Sequence, residues 1–224
     1  MALPIAVLVS GGGSNLQSII DRIESGTLDA EIRLVLSNKP DAYGLTRARN
    51  HGIPAVALEH TRYGSREEFD QAMVRTIRDH GAESVILAGF MRILTSEFLN
   101  AFPGRVLNIH PALLPSFPGA HGQRDAADYG VRIAGCTVHF VDEKMDHGPV
   151  IIQAAVPARP GEDEETLGGR ILTLEHRIYP QAVQWLAQGR LRMAGRHVQL
   201  DPSEAAPAPQ PENALVNPPL ENGF

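Results

Sequence analysis

Apolar positions along the chain fall into short unbroken runs that alternate with stretches of helical period. Ile5 to Ser10 is a run of buried-strand type, and Leu16, Ile19, Ile20 and Ile23 then recur at helical spacing over Asn15 to Glu24. Ile32 to Ser37 predicts a second strand, Tyr43 to His51 a helix closed by Gly52, and Ala55 to Leu58 a short third strand. A helix over Arg66 to His80 puts Phe69, Met73 and Ile77 on one face and stops at Gly81. Val85 to Ala88 and Val106 to His110 read as further strands, with a short helix around Ser96 to Phe102 between them. This β-α-β order predicts an α/β fold, a mostly parallel twisted sheet with helices on both faces.

After His110 the pattern breaks. Residues 111 to 120, PALLPSFPGA, hold three prolines and predict irregular chain. A short helix follows over His121 to Tyr129. Two longer strands, Gly135 to Val141 and Val150 to Val156, are joined by Asp142 to Gly148, which predicts antiparallel strands toward the carboxyl end. Glu164 to Gln188 reads as a long helix with Leu167, Ile171, Leu174 and Ile178 on one face. From Asp201 to Phe224 the text holds 6 of the chain's 17 prolines and no period, so it reads as a disordered tail. The expected organisation is a single domain over 1–200 and a tail over 201–224.

Composition narrows the function classes. With 26 acidic and 20 basic side chains among 224 residues, the formal net charge is -6. Nucleic-acid binding through a basic stripe is disfavoured, because neutralising phosphates needs clustered Lys and Arg. A small anion remains within reach of a few backbone amides. One cysteine, Cys136, excludes an internal disulfide framework and fits a reducing compartment. No run approaches the roughly 18 apolar residues of a membrane span. The first residues carry no basic region ahead of the first strand, so no signal peptide is read there and a cytoplasmic protein is expected.

Two segments carry candidate chemistry. Ser10-Gly11-Gly12-Gly13-Ser14-Asn15 lies between a buried strand and a helix, where free amides and the helix dipole favour an anion. The loop has no lysine for a P-loop, and Leu16 stands where a dinucleotide fingerprint needs its third glycine. A phosphate monoester and a tight turn with nothing bound both stay open. Asn108 and His110 close a strand two residues apart and so share a face. Ligands of open α/β sheets bind at the carboxyl ends of strands, which sets an amide donor and an imidazole at the ligand edge. The histidines show no metal-ligand spacing, so no metal is expected. The absence of Gly-x-Ser-x-Gly removes the usual hydrolase nucleophile.

Taken together, SGGGSN, SNKPDAYGLTRA, ILAGFMRIL, VLNIHPALLPSFPGAHG, VHFVDEKMDHGPVI and LEHRIYP resemble the phosphoribosylglycinamide formyltransferase family, in order and over about residues 5 to 195. The resemblance implies formyl transfer from 10-formyltetrahydrofolate to the amine of glycinamide ribonucleotide, a step of purine synthesis. It implies a phosphate-binding half over about 1–105 and a folate and catalytic half over about 106–200. It matches Asn108, His110 and Asp146 to a catalytic trio, with Asp146 raising the His110 pKa. Gly11, Gly12, Gly13, Ser14 and Asn15 match the substrate phosphate loop, and Glu175 the carboxylate that holds the glycinamide end. Arg66, Met91, Arg92, Ile93, Leu94, Asn108, Asp142, Glu143, Lys144, Met145 and Asp146 match folate-binding positions. A cis bond at Leu114-Pro115 is also implied. The oligomeric state stays open, a homodimer included.

Two positions depart from the family pattern. His121-Gly122-Gln123-Arg124 stands where many relatives carry a threonine-histidine pair, and His147 replaces a glycine beside the aspartate. A bulky imidazole there is expected to bear on the folate loop or on the pKa of its neighbours. Rival readings are another formyl-folate enzyme, such as a deformylase or a sugar-nucleotide formyltransferase, and a non-catalytic folate- or nucleotide-binding module.

Overall fold

The first apolar run, Leu3–Val9 (β1), is buried on both faces, as a central strand of a parallel sheet must be. A computed structural model describes residues 1–203 and 207–224. Strand β1 pairs in parallel with Ala30–Ser37 (β2) on one side and with Ser84–Leu87 (β4) on the other. Ala55–Ala57 (β3) adds outside β2, and Val106–His110 (β5) lies parallel to β4. Toward the carboxyl end, Ile133–Phe140 (β6), Val150–Pro157 (β7) and Leu215–Asn217 (β10) continue the sheet, with β7 antiparallel to both β6 and β10. The eight strands run β10-β7-β6-β5-β4-β1-β2-β3. The mostly parallel sheet with antiparallel strands at its carboxyl end is the one the alternation predicts.

The chain divides into two units. The first holds Met1–Asn108 and Val141–Glu143. Its helices are Ser14–Glu24 (α1), Tyr43–Asn50 (α2), Arg66–Asp79 (α3) and Ser96–Ala101 (α4). The face of α3 set by Phe69, Met73 and Ile77 packs with Leu8, Leu34, Leu36, Val85 and Phe98 into one core. Hydroxyls start the last two helices: Ser65 Oγ accepts from the Glu68 amide at 3.1 Å and Thr95 Oγ1 from the Phe98 amide at 3.4 Å.

The second unit holds Ile109–Phe140 and Lys144–Phe224. Gly122–Tyr129 (α5) and Glu164–Ala187 (α6) are its helices. Asp163 caps α6 by accepting from the Thr166 amide at 2.9 Å, and that bond holds its carboxyl below the usual range. Leu167, Ile171, Leu174 and Ile178 are all buried along α6. Gly135 has no room for a side chain, since a Cβ there would stand 1.9 Å from the Ala154 carbonyl oxygen on β7. A hairpin of Leu191–Ala194 (β8) and His197–Leu200 (β9), which the periodicity does not predict, forms a separate two-stranded sheet. No helix among the described residues is long and apolar enough to cross a membrane.

The tail differs from its expected disorder. Residues 204–206 lie outside the described residues, but beyond them Val216 of β10 pairs opposite Ala154 of β7. Val216, Leu220 and Phe224 are buried. The Arg177 guanidinium donates to the Phe224 carbonyl at 2.7 Å, Glu221 pairs with Arg190 at 2.7 Å, and the Glu221 amide donates to Gln181 Oε1 at 2.8 Å. Composition misses this because an edge strand needs few apolar residues once β7 and α6 supply its partners.

A buried carboxylate ties α3 to α4. Asp70 Oδ2 accepts from the Thr95 amide at 2.7 Å, yet burial outweighs its hydrogen bonds from Thr95 and raises its pKa. The folded state therefore holds this proton at higher pH than the unfolded chain does, so stability falls as pH rises from about 3.8 through the raised value. Asp70→Asn removes that loss while keeping an acceptor oxygen. Urea unfolding is expected to show the variant gaining on wild type between pH 3 and pH 7; a constant difference would contradict it.

Candidate functional site

The glycine loop of the first unit is shaped by what its carbonyls do. Gly11 accepts from the Gly44 amide at 3.0 Å, and Gly12 from Arg47 Nε at 2.8 Å, so both carbonyls are engaged by α2. Gly13 caps α1 in the left-handed conformation, φ 70°, and a Cβ there would lie 2.9 Å from the Gly44 Cα. At Gly11 and Gly12 a Cβ would meet nothing within 4 Å, so the loop borders open space. No side chain caps α1, and its first turn holds no acidic residue. The helix start thus presents its positive dipole end, beside Ser14 and Asn15, with no side-chain cap on it.

Ser10 links this loop to the ends of neighbouring strands. Its Oγ donates to Asn38 Oδ1 at 2.6 Å and accepts from the Met91 amide at 2.8 Å. The segment after β4 is thereby anchored at Met91. Met91 and Ile93 are exposed, Arg92 is half-buried, and Leu94 turns into the core. Arg66 is exposed at the start of α3. Asn108 is half-buried on β5, opposite Leu87 of β4 in the register. Asp142 is half-buried and Glu143 exposed.

In the second unit the structure brings His110 and Asp146 together. His110 Nδ1 is 3.5 Å from Asp146 Oδ2, with side chains 4% and 11% exposed. His110 Nε2 lies 2.8 Å from the Phe117 carbonyl oxygen, which can only accept, so Nε2 carries a hydrogen. Both ring nitrogens face acceptor oxygens. Asp146 Oδ2 also accepts from the Gly119 amide at 2.7 Å. The irregular stretch that the prolines predict is what bends back to supply Phe117 and Gly119. Leu114-Pro115 is cis, as the resemblance implies. Lys144 and Met145, also matched to folate positions, are exposed beside Asp146.

His139 is a residue the sequence reasoning leaves out. It is buried near the end of β6, and its Nε2 is 3.9 Å from Asp146 Oδ1. Its Nδ1 lies 2.8 Å from the Phe140 carbonyl, which fixes the other nitrogen toward the carboxylate. The usable signal is a histidine inside an otherwise apolar strand. Glu175 is buried on α6. Burial first, and the Glu175 carboxylate second, push the Cys136 thiol well above its ordinary range. Cys136 is accordingly a core residue and no nucleophile. Among the described residues no three His, Cys, Asp or Glu side chains gather to hold a metal ion.

A fold and site of this kind define a class that comparison identifies. The formyl transferase family profile matches residues 3–183, and the chain belongs to that family. Within it, the chain is 45% identical over 203 residues to the phosphoribosylglycinamide formyltransferase of Escherichia coli, covering 91% of this chain and 96% of that one. Among solved structures, glycinamide ribonucleotide transformylase 1 from Symbiobacterium toebii superposes with a TM-score of 0.87 at 48% identity, covering 89% of this chain and 94% of that one. The phosphoribosylglycinamide formyltransferase of Coxiella burnetii gives 0.86 at 43% identity, covering 90% and 94%.

The three loop glycines are not equivalent. Gly13→Ala is expected to lose about 1–2 kcal/mol from the left-handed penalty alone. Gly11→Ala, with open space around it, should lose clearly less. Urea unfolding of the two variants compares them, and equal losses would contradict the assignment.

Proposed function

We propose that this chain transfers the formyl group of 10-formyltetrahydrofolate to the primary amine of glycinamide ribonucleotide. The products are formylglycinamide ribonucleotide and tetrahydrofolate, a step of purine synthesis in the cytoplasm. The observation that carries the reading is the buried His110–Asp146 contact at the end of the strand that also bears Asn108.

The amine attacks the formyl carbon on the folate nitrogen, and a tetrahedral species with negative charge on oxygen forms. Asn108 donates its amide hydrogens to that oxygen, as an oxyanion donor. For His110 to act, its Nε2 hydrogen leaves the Phe117 carbonyl for the same centre, and the ring passes a proton toward the departing folate nitrogen. Asp146 holds the ring by Nδ1 and balances the imidazolium charge as the proton moves. As the carbon–nitrogen bond to the folate breaks, the proton lost by the amine replaces the one His110 gives to the folate nitrogen, and no covalent enzyme intermediate is needed.

Binding follows from the rest of the site. The uncapped start of α1, with Gly11, Gly12, Gly13, Ser14 and Asn15, receives the ribonucleotide phosphate on backbone amides. Glu175, buried on α6, holds the glycinamide end. The exposed apolar side chains of Met91 and Ile93, with Arg66, Arg92, Leu94, Asn108 and Asp142 to Asp146, take the folate. Exposed apolar groups of this kind suit a flat heterocycle better than water does.

The test is tetrahydrofolate release from 10-formyltetrahydrofolate by the purified chain, with and without glycinamide ribonucleotide. Release that requires the ribonucleotide is expected; release without it would indicate a hydrolase instead. His110→Ala and Asp146→Asn are each expected to lower turnover by at least about 100-fold, the scale of lost acid–base or oxyanion help. Near-native turnover in either variant would remove that residue from the mechanism.

A further inference from the structure

The turn that carries Asp146 is held from its other side by a side chain outside every motif. Arg196 stands between β8 and β9, at the tip of the hairpin. Its Nη1 donates to the main-chain carbonyl of His147 at 2.7 Å and lies 3.2 and 3.1 Å from the two nitrogens of the His147 ring. A guanidinium has only hydrogens to offer, so the ring can join this contact only through a lone pair.

The residue before His147 is Asp146 itself, with φ 51°. An aspartate in the left-handed region persists where its surroundings over-determine it. One tether is the carboxylate, bonded to the Gly119 amide at 2.7 Å and set against His110. The second is the Arg196 bond to the carbonyl one residue further on. With both tied, the backbone between them has little freedom, and the carboxylate has one direction in which to point.

We propose that Arg196 is a positioning residue for Asp146, acting through the His147 carbonyl to fix the angle at which the carboxylate meets His110. This rests on the reading of His110 and Asp146 as catalytic partners. Because the main bond is to the backbone, His147→Gly preserves it, whereas Arg196→Ala removes it. His147, the position that departs from the family pattern, is then tolerated because its ring folds onto the guanidinium that holds its carbonyl.

The experiment uses the full chain with four variants: Arg196→Ala, Arg196→Lys, His147→Gly and Arg192→Ala. Arg192 pairs with Asp201 elsewhere on the hairpin and controls for a general effect on it. In Arg196→Ala, kcat is expected to fall about tenfold, within the cost of a small misplacement of a catalytic group, with KM for the ribonucleotide and Tm little changed. Arg196→Lys should recover most of the loss, and His147→Gly and Arg192→Ala should stay near wild type. In the free protein, the imidazole nitrogen resonances of His110 and His139 should shift in Arg196→Ala and not in Arg192→Ala. Wild-type kcat and unshifted resonances in Arg196→Ala would overturn the proposal, as would an equal loss in Arg192→Ala. If wild type transfers no formyl group, the functional reading fails, and the resonances still decide whether Arg196 orients Asp146.

Discussion

A carboxylate closed off from most of the water around it must be met by donors, and much of the second unit is arranged to supply them to Asp146. The Gly119 amide donates from the proline-rich stretch, and the rings of His110, at the end of β5, and His139, near the end of β6, stand 3.5 and 3.9 Å from the carboxylate. Each is brought there by a different feature of the chain. The prolines fold 111–120 back over the strand end, and strand alternation turns the two imidazoles inward. The left-handed backbone at Asp146 then aims its carboxylate among them. The three groups converge on one carboxylate, so these elements depend on one another more than on the sheet at large.

The glycine loop solves the opposite problem. An anion needs backbone amides rather than carbonyls to face it, and the loop turns its carbonyls toward α2 instead. Gly44 and Arg47 take the carbonyls of Gly11 and Gly12, and the left-handed Gly13 starts α1 without a side-chain cap. On the proposed reading, a Ser or Asp in the cap position would satisfy the first-turn amides and compete with the phosphate, and the missing cap trades local stability for that binding. Gly13 must be small because it approaches Gly44, and Gly44 must be small because a Cβ there would stand 2.9 Å from the Val9 side chain.

Much of this was legible in the sequence because it is local. Apolar runs and helical spacing located the strands and helices through α6, and the Asn-x-His spacing put two polar groups on one strand face. What sequence did not yield depends on partners far along the chain. Strand β10 lies in a proline-rich text, and it is ordered by β7, Arg177 and Gln181 more than by its own composition. His139 looks like one more residue of an apolar strand until Asp146 is brought within 3.9 Å of it. Arg196 belongs to a hairpin with no strong alternation, and its one informative contact is to a backbone atom. No side-chain pattern encodes such a contact.

Two buried aspartates show how neighbours decide what a carboxylate does. Asp70 is met by the amide and hydroxyl of Thr95, with the Arg66 charge a lesser influence, and desolvation prevails, so its pKa is raised. Its work is to tie α3 to the start of α4. Asp146 is met by one amide and by two imidazoles that can themselves become cations. On the proposed mechanism, a proton arriving on His110 meets a carboxylate already in place, with little need for solvent to reorganise. What separates the two aspartates on that reading is that the imidazoles beside Asp146 can relay a proton and Thr95 cannot, so only the carboxylate beside the proton path needs its direction fixed from both sides of the turn.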